Sequence, residues 1–165
     1  MMIRPERPDD AAVIREVTVA AFEHEPHSEH TEPAIIDALR AARALTISLV
    51  AEEDGTVIGH VAFSPVKIDG QHVGWFGLGP VSVLPSYQRR GIGKALVREG
   101  LNQLRTSGAA GCVVLGEPAF YGRFGFINDP RLTYAGVSRR HFQRLVFGGV
   151  TPNGNVTYHP GFAAR

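Results

Sequence analysis

The chain has 165 residues, 44% of them apolar and 20% charged, with a formal net charge of +1. This suits one domain spanning residues 1–165, able to bury a continuous core without metals or disulfides. Its basic residues are spread out, which excludes the footprint of a nucleic-acid binder, so any phosphate is held locally. The single cysteine, Cys112, rules out an internal disulfide and suits a reducing compartment, giving the cytoplasm as the expected location. No window approaches the ~20 apolar residues of a membrane span and no apolar leader core opens the chain, so no membrane partner is expected.

After an extended start at Met2 to Arg4, Asp9 and Asp10 offer caps for a helix in which Val13, Ile14, Val17, Ala20 and Ala21 recur at helical spacing. A polar loop, Glu23 to Glu32, precedes a second helix marked by Ile35, Ile36, Leu39 and Ala42. The period then changes to that of strands. Ile47 to Ala51 meets Val57 to Phe63 across Asp54-Gly55, and Asp69-Gly70 separates Val66-Lys67-Ile68 from Val73 to Leu84. These segments predict three consecutive antiparallel strands. From Gly91 a helix gathers Ile92, Ala95, Leu96, Leu101 and Leu104 on one face, and Cys112 to Leu115 reads as a strand covered on both sides. Further strands are expected near Phe124 to Ile127, Leu132 to Tyr134 and Gln143 to Phe147. The fold class is therefore α/β in the α+β sense: a mixed, mostly antiparallel sheet flanked by helices.

The chemistry concentrates in Val81-Ser82-Val83-Leu84-Pro85-Ser86-Tyr87-Gln88-Arg89-Arg90-Gly91-Ile92-Gly93-Lys94, a strand running through a basic turn into a helix N-terminus. A helix start leaves about four N–H groups unpaired and carries roughly half a positive charge. Gly91 and Gly93 admit a phosphate to that backbone, while Arg89, Arg90 and Lys94 add formal charge suited to a diphosphate. The plainer alternative is an ordinary helix start with two permissive glycines. A Walker A loop is excluded because Ala95 follows Lys94 and no glycine stands five positions before Gly93. A dinucleotide fingerprint is weakened by Leu96 at its third small position, which also weakens an NAD-dependent oxidoreductase reading.

Gln88-Arg89-Arg90-Gly91-Ile92-Gly93 resembles the Arg/Gln-x-x-Gly-x-Gly/Ala signature of the GNAT family of N-acetyltransferases, and Val81 to Pro85 looks like the strand leading into it. The order of elements is similar to that fold over most of the chain. Leu115 to Phe126 further resembles the YhbS-type group of predicted bacterial acetyltransferases. The resemblance implies that acetyl-CoA is the cosubstrate, that a primary amine on a small molecule or peptide accepts the acetyl group by direct transfer, and that no metal takes part. It implies a central strand pair that splays apart, here Leu78 to Leu84 and Cys112 to Leu115, with a bulge at Gly79-Pro80. The backbone along Val81, Ser82 and Val83 would hold the pantetheine arm, the N–H groups from Gln88 to Lys94 the pyrophosphate, and Tyr121 would sit near the sulfur. One departure stands out: many relatives carry Asn after the second of these strands, where this chain has Gly116-Glu117-Pro118.

Direct transfer needs a neutral amine, a polarised thioester carbonyl and a proton for the thiolate. The Val83 N–H is the expected carbonyl donor and Tyr121 the expected acid, although Tyr121 with Phe120, Phe124 and Phe126 also reads as a core aromatic cluster. Glu117 is the first choice of base, with Glu52, Glu53, His60 and His72 behind it, and Glu117 reads equally as a helix cap before Pro118. His24, His27 and His30 are evenly spaced, yet read as a solvated loop bordering the acceptor rather than a zinc site, since Pro26 spoils a regular helix and nothing supplies a fourth ligand or converging geometry. The competing function is an acyl-CoA-binding sensor or interaction module without turnover. The C-terminal strands, with Phe142, Val146 and Phe147, offer a face for a homodimer.

Overall fold

The computed structural model describes residues 1–165. In it β1 (Met2–Pro5) leads through a tight turn at Pro8–Asp10 into α1 (Ala11–Phe22), followed by α2 (Glu32–Ala41), β2 (Ile47–Glu53) and β3 (Thr56–Pro65). After the two-residue β4 (Lys67–Ile68) come β5 (Trp75–Val83), α3 (Ile92–Thr106), β6 (Gly111–Leu115) and the single turn α4 (Pro118–Tyr121). The chain closes with β7 (Leu132–Thr133), β8 (Phe142–Val146), β9 (Gly154–Thr157) and a last turn at Pro160–Ala163. No helix is long and apolar enough to cross a membrane.

Six strands form the main sheet in the order β1-β2-β3-β5-β6-β8, antiparallel except for the β5–β6 pair. β3 is buried along almost its whole length because helices cover both faces: α3 lies on one and α1 on the other. Ile92, Leu96, Leu101 and Leu104 of α3 bury against Leu49, Val61 and Phe63. Each such side chain contributes about 1.5–3 kcal/mol of transfer energy. A second sheet, β4-β9-β7, covers the end of the first over Trp75, Phe142 and Val156.

Three expectations are corrected. Asp10 does not cap α1 with its side chain; its carboxylate instead takes two bonds from the Arg4 guanidinium, at 2.7 and 3.1 Å, and one from the Arg7 N–H at 2.6 Å. A buried cation outbids the helix end, since Arg4 lies inside the β1–α1 junction. Only Val66 of the segment Val66 to Ile68 stays with the meander, donating its N–H to Trp75 O at 3.1 Å; Lys67 and Ile68 peel away as β4 to pair with β9, Asp69-Gly70 closes a small loop, and the antiparallel run is β2-β3-β5. The strand expected at Phe124 to Ile127 is a tight turn at Gly122–Phe124, with only Ile127 bridging to Arg144.

Candidate active site

The sheet splits where the sequence put a proline. β5 pairs with β6 only from Trp75 to Leu78, opposite Gly111 to Val114. Beyond it, Gly79-Pro80 coincides with a register shift of β3 between Val61 and Phe63, because proline brings no N–H to the ladder. From there β5 follows β3 while Leu115, the last residue of β6, pairs only with Phe142 of β8.

The split leaves one edge of β5 open. The Leu84 N–H donates to Ile58 O across the β3 side at 2.9 Å. Backbone bonds alternate along an antiparallel ladder, so Ser82 and Leu84 face β3, whereas Val81 and Val83 turn their N–H and C=O toward the opening. The Gln88 side chain confirms the direction by donating from Nε2 to Val83 O at 3.0 Å. Ser82, expected along the arm, is turned away: its side chain is buried beneath α1 beside Thr18.

At the end of that edge lies a cavity of about 400 Å³ around the basic turn. Gly91 caps α3 with φ +80°, so the chain reverses in the left-handed region and leaves the first α3 N–H groups facing the cavity. Gln88, Arg89, Gly91, Ile92, Gly93 and Lys94 all line it. Arg90 does not; its guanidinium stacks over the Tyr87 ring at 5.2 Å. Arg123, missed in the sequence, lines the opposite wall with Phe120, whose ring it covers at 5.0 Å. Its only sequence signal is its place two residues after Tyr121.

A second cavity of about 330 Å³ borders the split itself, between Leu78 to Val81 of β5 and Leu115 of β6. Tyr121 forms part of its wall, held edge-on by Phe120 at 4.9 Å and Phe126 at 5.9 Å. Both readings of Tyr121 are thus met, since it packs on the core and lines the opening. Burial pushes its phenol up to about 12. Its place depends on Gly116, where an added Cβ would come within 2.3 Å of the ring. Gly116 therefore makes room for Tyr121. Of the two β5 residues whose N–H groups face the opening, Val81 lines the chamber with Tyr121, whereas Val83 lines the phosphate cavity.

A wider basin of about 700 Å³ adjoins this chamber, sharing Phe22, Glu32 and Leu115 with it. Glu117 stands here, exposed, 3.9 Å from Arg140 and 4.0 Å from His141; it occupies the cap position of α4 without capping it. His27 lines the basin too, whereas His24 is exposed beside Glu23. The other candidate bases lie elsewhere. Glu52 pairs with Arg4 at 3.2 Å, Glu53 ends β2, and His72 is exposed in the loop before β5. His60 is sealed in the core, its Nε2 2.7 Å from Ser48 Oγ, and burial pushes it down to about 4. Cys112 is also fully buried, its thiol pushed far up by burial. The charged residue in the chamber is Glu32, with Tyr134, Tyr158 and Phe162 around it. Sequence reading reached only the polar loop ending at Glu32, and the tyrosines carried no signal because the pairing of β9 brings them there.

Comparison with known proteins gives this geometry a family. A sequence model of the acetyltransferase (GNAT) family matches residues 11–126. The uncharacterised N-acetyltransferase YhbS of Escherichia coli K12 is 40% identical over 98% of both chains. A GNAT family acetyltransferase from Brucella melitensis, solved in complex with acetyl-CoA, is 56% identical over 98% of this chain and 97% of its own, with a TM-score of 0.88. The crystal structure of Escherichia coli YhbS in complex with CoA superposes with a TM-score of 0.89 at 37% identity, covering 98% and 91%. The chain belongs to the GNAT family of acetyltransferases.

Proposed function

We propose that this enzyme passes the acetyl group of acetyl-CoA directly to a primary amine at the β5–β6 split. One observation carries the reading: an open backbone edge at Val81 and Val83 joins a cationic helix N-terminus at one end to Tyr121 at the other. The diphosphate would be held by the α3 N–H groups with Arg89, Lys94 and Arg123, and the arm would add to β5 as a strand. The relatives' complexes with acetyl-CoA and CoA support the choice of cosubstrate.

The amine arrives as an ammonium and first loses a proton to the basin water, which Glu117 borders. Its nitrogen attacks the thioester carbonyl carbon while the Val81 N–H, rather than that of Val83, stabilises the oxyanion. The carbon–sulfur bond breaks and the thiolate takes the Tyr121 proton. The second amine proton returns the phenol to its neutral form, so the products are an acetamide, the CoA thiol and one released proton. We place this reaction in the cytoplasm, and a homodimer would use the β8 edge of the sheet.

The test is CoA-thiol release with a panel of primary amines, using the parent and Tyr121→Phe. Amine-dependent release by the parent, lost in the variant, supports transfer. Tight acetyl-CoA binding without release for any amine would favour the sensor module.

A further inference from the structure

The chamber wall is apolar or aromatic apart from Glu32, the first residue of α2. Ser28 Oγ donates to Glu32 Oε1 at 2.7 Å, holding the carboxylate where it borders both chamber and basin. Tyr158 lines the same chamber, and its Oη is buried without a hydrogen-bond partner. A buried hydroxyl left unpaired is costly, so a ligand that bonds to it recovers that loss. Burial raises the Tyr158 phenol well above 10, which keeps it a neutral hydroxyl, able to accept from an amine.

The way in is acidic. The basin adds Glu25 and Glu117 to Glu32, with His27 and His141 as its other ionisable side chains, His141 4.0 Å from Glu117; neither Lys nor Arg lines it, and Arg140 approaches Glu117 from the exposed rim at 3.9 Å. A ligand crossing from basin to chamber thus passes from carboxylates to apolar walls formed by Phe22, Ile35 and Phe162. An anion near the reacting amine would sit beside Glu32 in an apolar surround, where like charges repel strongly.

We propose that chamber and basin together form an acceptor site for a linear alkyl diamine, with one nitrogen seated between Glu32 and Tyr158 and the distal ammonium in the basin beside Glu25 and Glu117. The apolar stem crosses between them against Phe22 and Phe162. This assignment rests on the acetyltransferase reading and adds to it the charge and shape of the acceptor.

Three amines of matched length separate the possibilities: pentylamine, diaminopentane and aminocaproate, assayed by thiol release with the full chain. Diaminopentane should exceed pentylamine roughly tenfold in kcat/KM, as two exposed charge pairs allow, and aminocaproate should be the poorest. Glu25→Gln should shrink the ratio of diaminopentane to pentylamine to roughly threefold. Glu32→Gln and Tyr158→Phe should each raise the KM for the amine about tenfold without shifting the acetyl-CoA Kd measured by calorimetry. Equal use of aminocaproate, or a ratio untouched by Glu25→Gln, overturns the diamine site while leaving acetyl transfer intact. Turnover of none of the three by protein that binds acetyl-CoA also overturns it. Failure to bind acetyl-CoA at all removes the acetyltransferase reading itself.

Discussion

The phosphate cavity and the acceptor chamber adjoin the same split and are assembled in opposite ways. The first comes chiefly from one continuous stretch, Val83 to Lys94, whose groups are backbone donors fixed by a helix start. The second collects single side chains from the end of α1, the start of α2, β5, β6, α4 and the C-terminal segment. A site made of backbone tolerates side-chain change and is broken by conformation or charge. A site made of converging side chains can be retuned one residue at a time.

The largest expected effect falls in the chamber. Tyr121→Phe should lower kcat by about 100-fold or more, the scale of a positioned acid, with the acetyl-CoA Kd unchanged in calorimetry. Since burial raises this phenol to about 12, it stays protonated across the working range. The parent's kcat should therefore show no alkaline fall from this group between about pH 8 and 10.

Gly116→Ala sharpens the contrast because Gly116 lines the basin and lies apart from the phosphate cavity. Its new Cβ, 2.3 Å from the Tyr121 ring, must push the phenol out of the split. We expect kcat to fall about tenfold or more, since displacement of a catalytic group by an ångström is enough for such losses. Calorimetry should find acetyl-CoA affinity within about threefold of the parent.

Both regions hang on the β3–β5 ladder, where His60 stands opposite Ser82, so acid should weaken them together. The His60 pKa is lowered in the fold to about 4 from 6.5, so the unfolded chain binds the proton first. Stability is then at its plateau above about pH 6.5 and falls as the pH drops toward 4, by about 3 kcal/mol in all. Asp10, held at about 2 by the Arg4 guanidinium, adds a further loss below about pH 4. Thermal unfolding followed across this range should lose most of its upper step in His60→Gln. The smallest effects distinguish neighbouring cations at the turn: Arg123→Ala should weaken acetyl-CoA about fivefold, and Arg90→Ala, stacked on Tyr87, by no more than about twofold.

The same asymmetry explains what could be read before the structure. That the turn from Gln88 to Lys94, Arg90 apart, would border a cavity was legible from spacing within one segment and from the physics of a helix start. The bulge at Gly79-Pro80 was legible because proline cannot serve a ladder. Arg123 and Tyr158 were not, for their places depend on folding: the turn carrying Arg123 meets the distant segment Val83 to Lys94, and Tyr158 follows a strand pairing. Tyr158 reaches the chamber because Lys67 and Ile68 turn outward to meet Thr157 and Val156, a pairing that two residues in a polar stretch cannot announce. Asp10 was misread for a related reason: its neighbours suggest a cap, and only the fold brings Arg4 to it. Glu117 fitted its predicted neighbourhood, yet the chamber wall itself carries Glu32.

The most direct test of a cosubstrate site on the turn is calorimetric titration of acetyl-CoA into the parent and an Arg89→Glu/Gly91→Asp double variant. Asp tolerates the left-handed conformation at position 91 better than most residues, so the variant should keep its fold while reversing the charge that faces the cavity. The account predicts tight binding by the parent and at least about a 100-fold loss in the variant. Binding unchanged by the double substitution, or absent from the folded parent, would contradict it.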